Sequence, residues 1–202
     1  MGQAGRRRPP RAHGRPGRDR AIIYVLLSTG LRREELVRLN RDQLHPATLD
    51  ALRTAHRAHL TRVRGKGKTE RTVFLSADAR SALADYLERE RPQDASAQTP
   101  ALFLSATGLP ARSADGRLSP RAVNLILTRI GHWHDAEFPE PRRHISPLRP
   151  HDLRHTFAFH LATATGADAY ELERRLGHRS QRYIHRYTNP PEAVAAAYVE
   201  EF

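Results

Sequence analysis

The sequence predicts an α+β domain that is mostly helical and carries one small antiparallel sheet near its N-terminal side. Apolar residues recur at helical spacing over most of the chain after residue 19. By contrast, β-branched and alternating residues flank a single glycine-rich turn at residues 65–68. With 202 residues, the chain can also bury an adequate core without disulfides or a structural metal.

The first predicted elements are two helices. Residues 21–27 are continuously apolar and predict a buried helix, which Gly30 ends because glycine readily adopts the left-handed cap conformation. Residues 32–39 predict a second, short helix, in which two leucines face inward. Residues 46–57 fit neither helical nor strand periodicity, so their structure stays open.

A hairpin and two helices are predicted next. Residues 58–64 and 71–75 form the strands of the hairpin. Residues 78–89 predict an amphipathic helix, and residues 119–130 predict another that begins with Ser-Pro. The basic residues 131–149 predict an irregular segment.

The last part of the chain is predicted to be helical. Pro150 opens a helix in which Leu153, Phe157 and Leu161 form one apolar stripe, and Gly166 closes it. The remaining predicted helices run from Asp168 to Gly177, from Ser180 over a short stretch, and over residues 190–202.

Charge indicates the class of partner. The chain has 34 Lys and Arg against 22 Asp and Glu, a net charge of +12, which favours a polyanion and nucleic acid before a membrane. Residues 1–18 are rich in Arg, Gly and Pro and are predicted to be a disordered basic tail or linker; they either lie along phosphates or have no binding role. Residues 19–202 are predicted to form the domain. Without cysteine, the chain has no disulfides, thiolate metal sites or cysteine nucleophile.

The densest polar cluster is His151-Asp152-Leu153-Arg154-His155. His151 and Arg154 are three residues apart and share a helix face, where they suit an oxyanion such as a phosphate. His151 and His155 are four residues apart and could bind a metal, but the accompanying carboxylate of a zinc-protease helix is missing, so we expect no metal.

Other candidates lie elsewhere along the chain. Arg32 directly follows the turn that ends the first helix, and His178 follows the glycine that ends a later one. Tyr183 and Tyr187 are both candidate nucleophiles, although a tyrosine needs a neighbouring base because its ordinary pKa is about 10. The chain's only two lysines, Lys66 and Lys68, both lie in the glycine-rich turn.

These pieces, in this order, carry a resemblance to a known family. The matching motifs are Thr29-Gly30-Leu31-Arg32 with Glu35-Leu36, Gly65-Lys66-Gly67 with Lys68 and Arg71, Pro150 to His155, Leu176-Gly177-His178, and Tyr187 nine residues after His178. The chain thereby resembles the catalytic domain of the tyrosine recombinases, the phage integrase family, over residues 19–202. The spacing after His178 selects Tyr187 over Tyr183.

The resemblance implies a catalytic role for six residues. Tyr187 would attack a DNA phosphodiester and form a 3′-phosphotyrosine, while Arg32 and Arg154 would bind the non-bridging oxygens. Lys66 would protonate the leaving 5′-oxygen, a role that suits Lys because Arg hardly releases a proton. His151 would accept or orient the tyrosine proton, and His178 would hydrogen-bond the phosphate. The chemistry implies no cofactor and no metal.

The resemblance also implies partners. Double-stranded DNA is the expected substrate, with Arg64, Lys68 and Arg71 as further DNA-binding residues. A homodimer or homotetramer is expected on DNA, with the helix over residues 190–202 docking on a neighbouring protomer or packing on its own domain. We expect no membrane association and a cytoplasmic, nucleoid-associated location in a prokaryote, or one encoded by a phage or plasmid.

The sequence leaves open how much of a recombinase this chain represents and which of several activities it has. Family members usually carry an additional N-terminal helical domain, for which this sequence has no room. The chain is therefore expected to be a fragment of a longer recombinase, a minimal recombinase or a decayed gene product. A type IB topoisomerase and a DNA-binding remnant without recombination activity are the alternative functions.

Overall fold

The computed structural model describes residues 14–65, 69–96, 99–106, 113–166 and 168–177. In these residues the chain forms eight α-helices and three β-strands. In chain order they are α1 (Pro16–Thr29), α2 (Arg33–Val37), β1 (Leu44–His45), α3 (Leu49–Thr54), β2 (Ala58–Arg64), β3 (Glu70–Leu75), α4 (Ala77–Arg89), α5 (Arg91–Asp94), α6 (Pro120–Glu137), α7 (Pro150–Ala164) and α8 (Ala169–Leu176). The predicted α+β class, mostly helical with a small sheet, is confirmed.

The sheet is antiparallel in the order β1-β2-β3. The hairpin of β2 and β3 is confirmed, and its register shifts between Leu60 and Val63, where Arg62 adopts a positive φ of 50°. This irregularity has the character of a β-bulge, which bends the strand that leads to the glycine-rich turn. The segment over residues 46–57 holds α3, while the two-residue strand β1 lies just before it and is too short to show an alternating pattern.

A buried helix organises the core. Ala21, Ile22, Val25 and Leu26 on α1 are fully buried, and α1 packs against α4, α7 and β3. This main core continues into the sheet and into α6. A second, smaller cluster between α7 and α8 consists of Ala158, Ala162, Leu172 and Leu176. Thus α8 is held to the domain largely through α7 and through β3.

The predicted tail boundary at residue 18 is wrong for the described residues 14–18. Helix α1 begins at Pro16, and Glu90 accepts hydrogen bonds from the backbone N–H groups of Gly17 and Arg18, both at 2.9 Å. The Arg15 guanidinium makes two 2.7 Å hydrogen bonds to the Asp94 carboxylate. Glu90 lies between α4 and α5 and Asp94 ends α5, so the sequence around residue 16 carries no sign of these acceptors. Residues 1–13 lie outside the described part of the chain.

Helix α6 also extends beyond its prediction. Residues 131–137 continue the helix, although an irregular segment was expected from residue 131. A Cβ on Gly131 would lie 3.1 Å from the Leu148 and Ser146 side chains, so the glycine lets the returning chain approach closely. Asp135 accepts hydrogen bonds from the backbone N–H groups of Ile145 and Ser146, which fixes that return.

The helix ends near the candidate motifs agree with the sequence. Gly30 and Gly177 end α1 and α8 with φ values of 61° and 62°, and Asp168 caps α8 by accepting from two backbone N–H groups. The predicted helices from Ser180 and over residues 190–202 lie outside the described residues. Among the helices that the structure describes, none has the length and apolar character needed to cross a membrane.

Candidate active site

Three of the six predicted catalytic residues lie in the described part of the chain. Arg32 is at the start of α2, and His151 and Arg154 are in the first two turns of α7. The predicted residues outside the described ranges are Lys66, His178 and Tyr187, together with the predicted DNA-binding Lys68. Gly65 and Gly177, which directly precede Lys66 and His178, are described.

Arg32 is anchored by a buried carboxylate. Its backbone N–H donates to Glu35 Oε2 at 2.9 Å, and its Nη1 donates to Glu35 Oε1 at 3.2 Å. The Glu35 side chain is 4% exposed, whereas 33% of the Arg32 side chain remains exposed. Because a guanidinium has five N–H donors, this anchoring leaves several of them to bind an anion.

Arg154 joins the ends of two other helices. It is 5% exposed, its Nη1 donates to the carbonyl of Gly30, and its Nη2 donates to the carbonyl of Leu176 at 2.7 Å. Gly30 lies two residues before Arg32, and Leu176 lies two residues before His178. One buried guanidinium therefore brings three predicted site segments together.

His151 forms a close pair with the next histidine on the same face of α7. The Nε2 atoms of His151 and His155 lie 2.8 Å apart. In such a contact one ring nitrogen donates and the other accepts, and the tautomers of the two rings decide which is which. In the described residues, no group of three or more His, Cys, Asp or Glu side chains could hold a metal ion.

Arg71, which is predicted to bind DNA, lies in an internal ion pair. Its Nη1 and Nη2 donate to the two Glu35 carboxylate oxygens at 3.0 and 2.8 Å, and only 11% of the side chain is exposed. Its positive charge is thus balanced by the Glu35 carboxylate inside the protein, and its DNA contact stays a prediction. Arg64 differs: its side chain is 77% exposed and pairs with Glu70 at 3.1 Å, so its DNA contact stays a prediction.

Glu35 is charged despite its burial. Burial raises the pKa of the Glu35 carboxyl, but the hydrogen bonds and charge of Arg71, together with Arg32, outweigh burial and hold that pKa below its ordinary value of 4.5. Because the pKa is lower in the folded protein than in the unfolded chain, the ionised group stabilises the fold above pH 4.5. That contribution is lost as the pH falls through the folded pKa.

We therefore expect Glu35→Gln to lower the free energy of unfolding near neutral pH by about 1–3 kcal/mol, because a charge-assisted pair is lost. The variant should also lose part of the wild-type decline in stability below pH 4.5. Urea unfolding at a series of pH values measures both effects. Glu70→Gln is the matched control, since it breaks an exposed pair and should cost less than about 1 kcal/mol. Equal losses in the two variants would contradict the central role of Glu35.

Sequence reasoning missed the function of Glu35 and the partner of Arg71. Glu35 lies three residues after Arg32, which is the spacing of a capping box, so a local signal for its bond to the Arg32 N–H was present. The Arg71–Glu35 pair has no such signal because β3 and α2 meet only in the folded chain.

The chain is similar to proteins of one known family. The model of the phage integrase family matches residues 11–193. The chain is 33% identical to the tyrosine recombinase XerC of Syntrophus aciditrophicus over 171 residues, which are 85% of this chain and 48% of that protein. It is 33% identical to the tyrosine recombinase XerD of Bifidobacterium longum over 189 residues, which are 90% of this chain and 53% of that protein. The chain thus spans about half the length of the curated relatives it matches.

Two solved structures share the fold. A crystal structure of XerA recombinase superposes with a TM-score of 0.62 at 25% identity, covering 92% of this chain and 58% of that one. The pre-cleavage complex of XerH site-specific recombinase with its difH substrate gives a TM-score of 0.66 at 21% identity, covering 91% of this chain and 46% of that one.

Proposed function

Because the chain belongs to the phage integrase family, we propose that it is the catalytic part of a site-specific DNA recombinase that cleaves and rejoins strands through a 3′-phosphotyrosine. The observation that carries this proposal is the position of Arg154, whose bonds to Gly30 and Leu176 draw together the segments of Arg32, His151 and His178.

The proposed cleavage is a transesterification at phosphorus. The Tyr187 oxygen forms a bond to the phosphorus while the bond from phosphorus to the 5′-oxygen breaks, which leaves a 3′-phosphotyrosine and a free 5′-hydroxyl. The tyrosine proton passes to His151, and Lys66 gives the leaving oxygen a proton. Rejoining is the reverse, with a 5′-hydroxyl as the attacking group. One phosphate ester replaces another, so the proposed reaction conserves the energy of the bond and needs no nucleotide as an energy source.

The described residues suit the charge of this reaction. Negative charge grows on the non-bridging oxygens as the tyrosine attacks, and fixed guanidinium donors stabilise it most when they need no reorientation. Arg32 and Arg154 are both fixed by acceptors on the protein, Glu35 for the first and two backbone carbonyls for the second. His151 shares the first two turns of α7 with Arg154, and we assign it the role of proton acceptor.

The proposed partners are double-stranded DNA and further copies of this chain. The net charge of +12 and the exposed Arg64 favour DNA. Several relatives are bacterial proteins named as tyrosine recombinases, and the structures of XerH and of the Tn1549 transposon integrase were determined in complex with DNA. A dimer or tetramer on DNA, the docking of residues 190–202 on a neighbour, and a nucleoid-associated cytoplasmic location remain part of this proposal.

A selection for covalent complexes tests the activity without knowledge of the target site. The chain is incubated at low salt with a pool of nicked duplexes whose central region is randomised, since the nick lets the short cleaved fragment diffuse away and traps the adduct. We expect complexes that resist denaturing detergent, enriched for one sequence, with the nucleotide attached to the peptide that contains Tyr187. A pool that yields binding but no covalent complex would contradict the enzyme and favour a DNA-binding remnant.

The selected duplex then separates the two enzyme classes. Intact duplexes should yield four-way junction products, because recombination joins strands of two partners. A supercoiled plasmid that carries the selected site should be relaxed without junctions only if the chain acts as a type IB topoisomerase. Relaxation with no junction product would therefore overturn the proposed recombinase.

A further inference from the structure

Arg71 is the centre of a buried contact between three elements. From β3 it pairs through both terminal nitrogens with Glu35 on α2, and its Nε donates to the carbonyl of Arg175 on α8 at 3.1 Å. The Arg175 guanidinium in turn lies 4.9 Å from the centre of the Phe74 ring on β3. Helix α8 is thus fixed to the sheet at the level of this ion pair.

Two glycines approach the same guanidinium closely. A Cβ on Gly65 would lie 3.3 Å from Arg71 Nη1, and a Cβ on Gly177 would lie 3.1 Å from the same atom. Gly177 also has a φ of 62°, which L-residues with side chains rarely adopt. Both backbone segments are therefore packed directly on the Arg71 side chain.

The sequence neighbours of these contacts are the predicted catalytic residues. Gly65 directly precedes Lys66, Gly177 directly precedes His178, and Glu35 holds Arg32 through the same carboxylate that binds Arg71. The Arg71 guanidinium thus contacts the residues next to Lys66 and His178 and the carboxylate that holds Arg32. In the proposed reaction these three side chains act on one phosphate.

Burial of this pair is weak evidence for a purely stabilising role. The desolvation of two charges offsets most of their attraction, so a buried ion pair often contributes little more than an apolar pair of the same shape. What the planar guanidinium does provide is direction, because its donors fix two carboxylate oxygens and a carbonyl in one plane. A lysine at this position has a point charge and cannot bridge all three acceptors.

We propose that Arg71 is a positioning residue for DNA cleavage: bound to Glu35, it sets the turn that carries Lys66 and the helix end that carries His178 in register with Arg32. This inference rests on the proposed function. In this role Arg71 does not contact DNA. Its main effect is on the transfer of the proton from Lys66 to the leaving 5′-oxygen.

A change of leaving group tests this assignment. The selected duplex is prepared with an ordinary phosphodiester and with sulfur in place of the 5′-bridging oxygen at the cleaved position. Sulfur leaves as a thiolate, which needs no proton from Lys66 because thiols have a pKa near 8.5. We expect Arg71→Lys to slow adduct formation on the ordinary duplex about 10²-fold, as for a displaced general acid, and to recover most of that loss on the sulfur duplex. Lys66→Ala should show the same recovery.

Arg15→Lys is the matched control. Arg15 and Asp94 also form a bidentate pair, with side chains 12% and 0% exposed, and the described hydrogen bonds of the Arg15 guanidinium join it only to Asp94 and to the carbonyl of Gly14. This variant should lose a similar amount of stability and cleave both duplexes at wild-type rates. If Arg71→Lys does not fold at the assay temperature, Arg71→Gln replaces it, since its amide can still donate to Glu35 and the Glu35 carboxylate that anchors Arg32 stays intact.

The possible results separate the inference from the proposed function. Equal slowing of Arg71→Lys on both duplexes, or a loss of DNA affinity that accounts for its slowing, would overturn the positioning role. Unchanged cleavage of the ordinary duplex would overturn it as well. A wild-type chain that cleaves neither duplex would overturn the proposed function itself, and this inference with it.

Discussion

Tyr187→Phe is expected to abolish covalent attachment of the chain to DNA while leaving its affinity for the same duplex unchanged. Phenylalanine lacks the phenolic oxygen that would attack phosphorus, and it keeps the size of the ring. Denaturing gel analysis of the selected nicked duplex measures the adduct, and fluorescence anisotropy measures the affinity.

Tyr183→Phe is the control for this result. Both substitutions remove one phenolic oxygen from the same part of the sequence, so a general effect of losing a hydroxyl would affect both. We expect Tyr183→Phe to form the adduct as the wild type does. An adduct that persists in Tyr187→Phe and disappears in Tyr183→Phe would transfer the nucleophile to Tyr183 and contradict the assignment by spacing.

Gly30→Ala is expected to cause a large loss of stability. With a φ of 61°, Gly30 is in the left-handed region, and a Cβ there would overlap with Cδ1 of Phe157. The backbone conformation costs about 1 kcal/mol for alanine. Forcing the extra methyl into a packed interior adds about 1–3 kcal/mol. We therefore expect a total loss of about 2–4 kcal/mol in the free energy of unfolding, measured by urea denaturation.

The chain provides its own control for the backbone component. Gly166 has the same φ of 61°, but no atom of the described residues lies within 4 Å of a Cβ placed on it. Gly166→Ala should therefore cost only about 1 kcal/mol. The difference between the two variants isolates the clash with Phe157, and a second substitution, Phe157→Ala, should recover part of the loss in Gly30→Ala. Equal losses at Gly30 and Gly166 would show that Phe157 moves aside freely.

The elements that the sequence predicts well are those with local causes. Gly30 and Gly177 end their helices where the left-handed cap requires glycine, and the hairpin follows from β-branched alternation on both sides of its turn. The start of α1 and the end of α6 depend on residues that are distant in the sequence. Glu90 accepts hydrogen bonds from the start of α1, and residues 146–148 pack on α6 beside Gly131. Local patterns carry no information about such partners.

The same distinction applies to the candidate site. Arg32, His151 and Arg154 are recognisable because their motifs are short and each is placed by one helix end. Whether an arginine faces a phosphate or a buried carboxylate depends on tertiary packing, so Arg71 and Arg64 look alike in the sequence although only Arg64 is exposed. Short motifs therefore predict candidate reacting groups, whereas the groups that hold them become visible only in the folded chain.

The two carbonyls that hold Arg154 also bear on the safety of the proposed reaction. One belongs to the end of the first helix and the other to the end of the last described helix, so most of the chain must be synthesised and folded before both are in place. Until then the arginine lacks the orientation that phosphate activation requires. In the proposed reaction, a partly folded chain would therefore be unable to activate a phosphate before the fold that also has to reseal the strand is complete.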